Sequence, residues 1–205
     1  MTGMQQWLAT QRREKGIESL RRQESLDGTG WRQESAHFWN PAAGHEGILV
    51  QAKSPRRSWP SLFLIHPIAK PHAEIALVYW QDAEHELKFL VQAKEEPGSD
   101  TPGRILVTTT VQAGVERLRG EDIPYAALVG EDSFSVAQDP GMFFEKRNRI
   151  QTVRLTGQPE IAGGYYAATL PELRAMAEQG LLSEFLLQCL GALLLQAQPD
   201  LAKQL

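Results

Sequence analysis

The side chains best suited to chemistry cluster between Leu87 and Gln112: Gln92, Lys94, Glu95, Glu96, Thr110 and Gln112. An amide can donate two hydrogen bonds, an ammonium can steady negative charge, and a carboxylate can take a proton. The stretch predicts two strands joined by a polar loop rich in Gly and Pro. Side chains alternate along a strand. Leu87, Phe89, Val91 and Ala93 therefore share one face, and Lys88, Leu90, Gln92 and Lys94 share the other. In the second strand Ile105, Val107, Thr109 and Val111 oppose Leu106, Thr108, Thr110 and Gln112. Each strand has one mainly apolar face. The other face either meets water or lines a polar cavity.

Other chemistries leave no such mark. There is no phosphate loop of the G-x-x-x-x-G-K-[ST] kind, no G-x-G-x-x-G after a strand and no G-x-S-x-G elbow. His37, His45, His66, His72 and His85 do not pair at a metal-ligand spacing such as H-E-x-x-H, so no metal is expected. The lone Cys189 lies in a Leu-rich run, where a buried structural thiol is expected. A net charge of −4 argues against a general nucleic-acid binder. With no apolar leader and no run long enough for a membrane span, a cytoplasmic protein away from membranes is expected.

The elements around this stretch come next. The 205 residues suggest a single domain spanning 1–205. Residues 1–26 form an N-terminal helical arm, with few apolar points among Gln, Arg and Glu. Strands are expected at Gly47–Ala52, Leu62–Ile68, Glu74–Trp80 and within Met142–Leu155. Residues 169–205 change to helices. Thr169 caps one ending near Gly180, and Ser183 caps a second running to about Gln196. The second is apolar nearly all round, which predicts packing on two faces. With strands in the middle and helices at the ends, the class is α+β with a mainly antiparallel sheet.

Two segments of the central stretch resemble a known signature. Val91-Gln92-Ala93-Lys94-x-Glu96-Pro97-Gly98, followed by Thr110-Val111-Gln112-Ala113, is similar to the V-Q-A-[KR]-x-E-P-G and S-P-T-V-Q-A segments of the NDP-hexose 2,3-dehydratases of deoxysugar pathways. Weaker echoes run from Asp27-Gly28 to His37-Phe38, at Ser58-Trp59, from Phe143 to Arg149, and at Thr169-Leu170-x-x-Leu173. The chain departs in having Thr108-Thr109-Thr110 for S-P-T and Gly114 after Ala113. That family usually carries two tandem copies of the unit, and this chain carries one. The resemblance implies a Nudix-like fold, with a strongly curved mixed sheet flanked by helices and a C-terminal helical pair. It also implies a homodimer that imitates the tandem protein. Nudix hydrolysis itself is not expected, because the R-E-x-x-E-E pattern that holds magnesium is missing.

The reaction implied by the resemblance is loss of water from a nucleotide-linked 4-keto-6-deoxyhexose. A base takes the proton beside the ketone, and the neighbouring hydroxyl leaves. No cofactor is required. Glu96, held by the Pro97-Gly98 turn, is the candidate base, and Lys94 steadies the enolate or a phosphate. Tyr125 is the candidate acid. Gln92, Thr110 and Gln112 would bind the substrate, and Trp59 would stack on a base or sugar. Glu145, Asn148 and Arg149, from the F-[FY]-x-x-x-N-R echo, would reach the diphosphate side. Two rivals stand beside this expectation: a tailoring lyase, isomerase or cyclase of natural-product biosynthesis, and a non-catalytic ligand-binding or accessory subunit.

Overall fold

A computed structural model of the chain describes residues 3–19, 25, 27–34, 37–42, 44–50, 62–67, 72–114, 117–118, 122–138, 142–143 and 145–196. The class is α+β. Within what the sequence treats as one domain, the chain forms two compact units. Unit 1 comprises residues 1–20, 74–134 and 149–205, and unit 2 comprises residues 21–73 and 135–148. No helix among the described residues is long and apolar enough to cross a membrane.

Unit 2 holds a four-stranded antiparallel sheet in chain order: β1 (Arg32–Glu34), β2 (His37–Asn40), β3 (His45–Val50) and β4 (Leu62–Pro67). A Cβ at Gly47 would come 2.0 Å from the Phe63 ring, so any larger residue there would force that ring to move.

Unit 1 is built around β5 (Ala73–Gln81) and β6 (Leu87–Glu95). The sheet that contains these two strands continues with β7 (Ile105–Thr108), β8 (Val111–Gly114), β9 (Phe134–Ala137), β10 (Arg147–Arg154) and β11 (Tyr165–Thr169). The order is β11-β6-β5-β10-β9, with β7 on β6 and β8 on β5. Strands β9 and β10 carry the chain across the boundary between the units. The expected second strand of the hairpin is thus not continuous. It breaks at Thr109-Thr110, pairs first with β6 and then with β5, and forks the sheet.

The face of β6 carrying Phe89, Val91 and Ala93 is the apolar one, fully buried together with Ile105 and Val107. Helix α1 (Gly3–Lys15) covers it, with Trp7 5.3 Å from Tyr166, which opposes Val91. Glu172 of α2 (Leu170–Glu178) accepts from the same Tyr166 hydroxyl at 2.9 Å. Thr169 and Glu172 form a reciprocal capping box at the start of α2. The expected second C-terminal helix is α3 (Glu184–Gln196), with the Leu186 N–H donating to Ser183 Oγ at 3.2 Å. Only one side of α3 is buried, through Leu186, Cys189, Ala192 and Leu193. Leu187, Leu194 and Leu195 are exposed, which departs from the expected packing on two faces.

Candidate functional site

The second face of β6 carries Lys88, Leu90, Gln92 and Lys94 in order. Leu90 joins Val78 and Trp80 in a buried cluster flanked by Tyr125, Leu128, Val153, Leu155, Tyr165 and Ala167. Beyond that cluster the face turns polar. Gln92 lies between Thr108 of β7 and Tyr165 of β11, and Lys94 lies opposite Leu106. Directly opposed residues of an antiparallel pair stand about 5 Å apart and diagonal neighbours about 7–8 Å. Tyr165 is therefore the cross-strand neighbour of Gln92 and a diagonal neighbour of Lys94.

Lys94 is half-buried, and burial is the main reason its ammonium is held below its ordinary pKa. Glu96 and Glu95 pull the other way, while Arg117 adds to the lowering. Among the described residues no ion pair or hydrogen bond holds Lys94 Nζ. Glu96 lies just past the end of β6, also half-buried. Its N–H donates to Arg104 O at 2.7 Å, and its carbonyl accepts from the Ser99 N–H at 2.8 Å. The Pro97-Gly98 turn thus fixes the backbone of Glu96 and leaves its carboxylate for other work.

Gln92 is used differently from the expectation. Its Nε2 donates to Thr109 O and Thr110 O, at 3.1 and 3.0 Å, capping the carbonyls where the sheet forks. Thr110 is fully buried. Its Oγ1 accepts from the Val78 N–H at 2.8 Å and donates to Leu90 O. Val78 and Leu90 are register partners across β5 and β6. The hydroxyl is thus a relay where two strands part, and it satisfies both backbone groups. Thr108 Oγ1 donates to Gln112 Oε1 at 2.9 Å and accepts from Ser183 Oγ at 2.7 Å, so the fork is tied to the cap of α3. The paired segments therefore serve architecture as well as any ligand.

Tyr125 is also engaged. Its hydroxyl donates to Glu160 O at 2.6 Å and accepts from the Ala162 N–H at 2.7 Å. These bonds hold it in a left-handed conformation, φ 64°, that a non-glycine residue adopts at a cost of about 1–3 kcal/mol. Its ring meets Tyr165 edge-on at 4.9 Å. Burial, then Tyr125, pushes the Tyr165 phenol up to about 12, so it keeps its proton at neutral pH. Tyr165 was not foreseen because the short Y-Y-A-A-T strand follows a turn-rich link and precedes a helix. The paired tyrosines at the start of that short run are its only sequence signal.

Arg149 and Asn148, expected at the diphosphate side, have hydrogen-bonding partners within the fold. Arg149 is spent on Glu74 Oε1 at 3.0 Å, Ser133 Oγ at 2.9 Å and Glu131 O at 2.9 Å. Gln151 exchanges hydrogen bonds with both backbone groups of Gly130. Alternate residues of β10 thus pin the loop from Gly130 to Ser133. Asn148, in unit 2, is buried, accepts from the Ala73 N–H at 3.4 Å and donates to Gln138 Oε1 at 3.1 Å. Glu145, also in unit 2, is exposed and has a positive φ of 53°. Trp59 lies outside the described residues, as do Arg56 and Arg57.

Cys189 is buried, its Sγ 3.8 Å from Gln151 O, and burial pushes the thiol up to about 12. That suits packing rather than nucleophilic work. Among the described residues no three His, Cys, Asp or Glu side chains are grouped to hold a metal ion. A depression of about 380 Å³ on unit 1 is lined by Gln81, Arg154, Leu155 and Thr156. Gln81 pairs with Leu87, so it lies at the opposite end of β6 from Lys94, roughly 23 Å away at about 3.3 Å per residue. The depression is therefore separate from the Lys94 face. No protein-family model matches the chain, and no curated protein matches it.

Proposed function

We propose that the chain is a cofactor-independent carbon–oxygen lyase. It removes water from a carbonyl-bearing substrate, either a nucleotide-linked 4-keto-6-deoxyhexose or a related natural-product intermediate. The observation that supports this reading best is a half-buried lysine, Lys94, within electrostatic reach of Glu96 on a backbone fixed by a turn. Glu96 takes the proton beside the carbonyl, and Lys94 stabilises the oxygen on which charge develops. Tyr165 supplies the proton to the leaving hydroxyl, in the role first given to Tyr125. Gln112 binds substrate through its amide nitrogen, since its oxygen is held by Thr108. The same reading takes the fold as Nudix-like with a strongly curved sheet, the chain as a cytoplasmic homodimer, and the pathway as one of natural-product biosynthesis.

Replacing Glu96 by Gln should lower turnover roughly 10²-fold or more while the circular dichroism spectrum is unchanged. Near-normal turnover would remove Glu96 from the role. A thymidine or uridine diphosphate sugar should raise Tm, because a ligand bound only by the folded state stabilises it.

One observation favours a second reading. Gln92, Thr110 and Tyr125 all commit hydrogen-bonding groups within the fold. A non-catalytic module would keep such a frame and only hold a ligand. Tm shifts without turnover would select it.

A further inference from the structure

We propose that Lys94 is a carbonyl-capturing nucleophile, which forms an imine with a β-hydroxy ketone before water is eliminated. The inference rests on the lyase reading above and replaces the electrostatic role given there to Lys94 with a covalent one. No hydrogen bond or ion pair holds Lys94 Nζ among the described residues, whereas Lys88 on the same face is ion-paired to Glu86 and Asp82. The cross-strand partner of Lys94 is Leu106, so its stem runs along apolar surface. Glu96 lies two residues further along the chain and Tyr165 on the diagonal. A lysine is a nucleophile only when neutral, and burial shifts Lys94 toward that form.

The step balances without an oxidant or metal. The Nζ lone pair adds to the carbonyl carbon, the carbonyl oxygen departs as water with the two amine protons, and C=N forms. Protonation of the nitrogen gives an iminium. Glu96 removes a proton from the adjacent carbon, and the freed pair makes the enamine. The enamine expels the hydroxyl one carbon further on, which leaves as water with a proton from Tyr165. That proton is returned through solvent from Glu96. Water then hydrolyses the unsaturated iminium and restores both the ketone and Lys94. The net change is loss of one water. An iminium acidifies the neighbouring C–H more than a ketone does, which suits a carboxylate base.

The test uses the full chain with 4-hydroxy-2-butanone as probe and sodium cyanoborohydride as trap, at neutral pH. Peptide mass mapping locates the reduced adduct. Lys94 should label several-fold faster than Lys88, whose ammonium is held by Glu86 and Asp82. Equal labelling, or none at Lys94, overturns the inference. Lys94→Arg keeps the charge and should abolish turnover if an imine forms, so a Lys94→Arg protein that still turns over also overturns it. The two readings fail separately. A nucleotide sugar that raises Tm while Lys94 stays unlabelled removes the imine and leaves the site. Labelling at Lys94 with no Tm shift from any nucleotide sugar keeps the imine and removes the sugar.

Discussion

The two ends of β6 present the same residue type to the same face and treat it in opposite ways. Lys88 sits beside the turn that joins β5 to β6. A hydrogen bond to Glu86, with Asp82 close by, lifts its pKa above the ordinary 10.5. Lys94, about 20 Å further along at about 3.3 Å per residue, is held below that value chiefly by burial. The strand pairs also differ. The Lys88 end is clasped by β5, and the Lys94 end by β7. Between them stands Thr110, where the partner strand changes. One end is an ion-paired surface corner and the other a sheltered face with an uncommitted amine. The difference teaches that position on a strand face does not set a lysine's chemistry; the acidic turn beside one and the burial of the other do.

The largest way to break this contrast is at the fork. Thr110→Val leaves the Val78 N–H and the Leu90 carbonyl buried without a partner. At about 1–3 kcal/mol for each of the two groups, the expected loss is about 2–6 kcal/mol by urea denaturation. Thr110→Ser keeps the hydroxyl and should recover most of it. A smaller effect is expected at the anchor of the Lys94 end. Ser183→Ala removes the cap of α3 and the bond to Thr108, at a cost of about 1–2 kcal/mol, read as the same denaturation midpoint shift.

The pH dependence separates the two lysines by sign. For Lys94 the folded pKa lies below the unfolded one, so the unfolded chain binds more protons between the two values. Its contribution to stability therefore rises with pH through that window. For Lys88 the folded pKa lies above the unfolded one. Its contribution is fully present below 10.5 and is lost as pH climbs through the folded value. Lys94→Gln should flatten the rise and leave neutral-pH stability within about 1 kcal/mol of the parent. Lys88→Gln, removing an exposed pair, should change it by about 0.5 kcal/mol or less and leave turnover alone. Equal and same-signed slopes for the two variants would dissolve the contrast.

Much of the frame was legible in the sequence because local rules set it. Thr169 with Glu172, and Ser183 ahead of a Leu-rich run, are cap signals that need only a few neighbours to act. The alternation in Leu87–Glu95 marked β6 and its faces. The Lys88 end was legible too, since Asp82 and Glu86 lie in the adjoining turn. The fork was not. Thr108-Thr109-Thr110 fits a continuous strand by propensity, and only the departure of β5 from β6 makes a break favourable. The site was half legible. Lys94 and Glu96 stand on the expected face, but the Tyr165 that stands diagonal to Lys94 comes from β11, far off in the chain. Asn148 and Arg149 were chosen for their affinity for phosphate, yet the fold uses that hydrogen-bonding capacity itself.

The hydroxyl relay at Thr110 gives the fork its own clock. The Val78 amide proton is held by a side chain instead of a strand partner, so it can exchange with solvent deuterium only when β5 and β6 part around that hydroxyl. Neighbouring amides of β5 report on ordinary opening of the sheet. The protection of Val78 relative to them would time how often the two halves of the sheet separate, and with them the sheltered and exposed ends of β6.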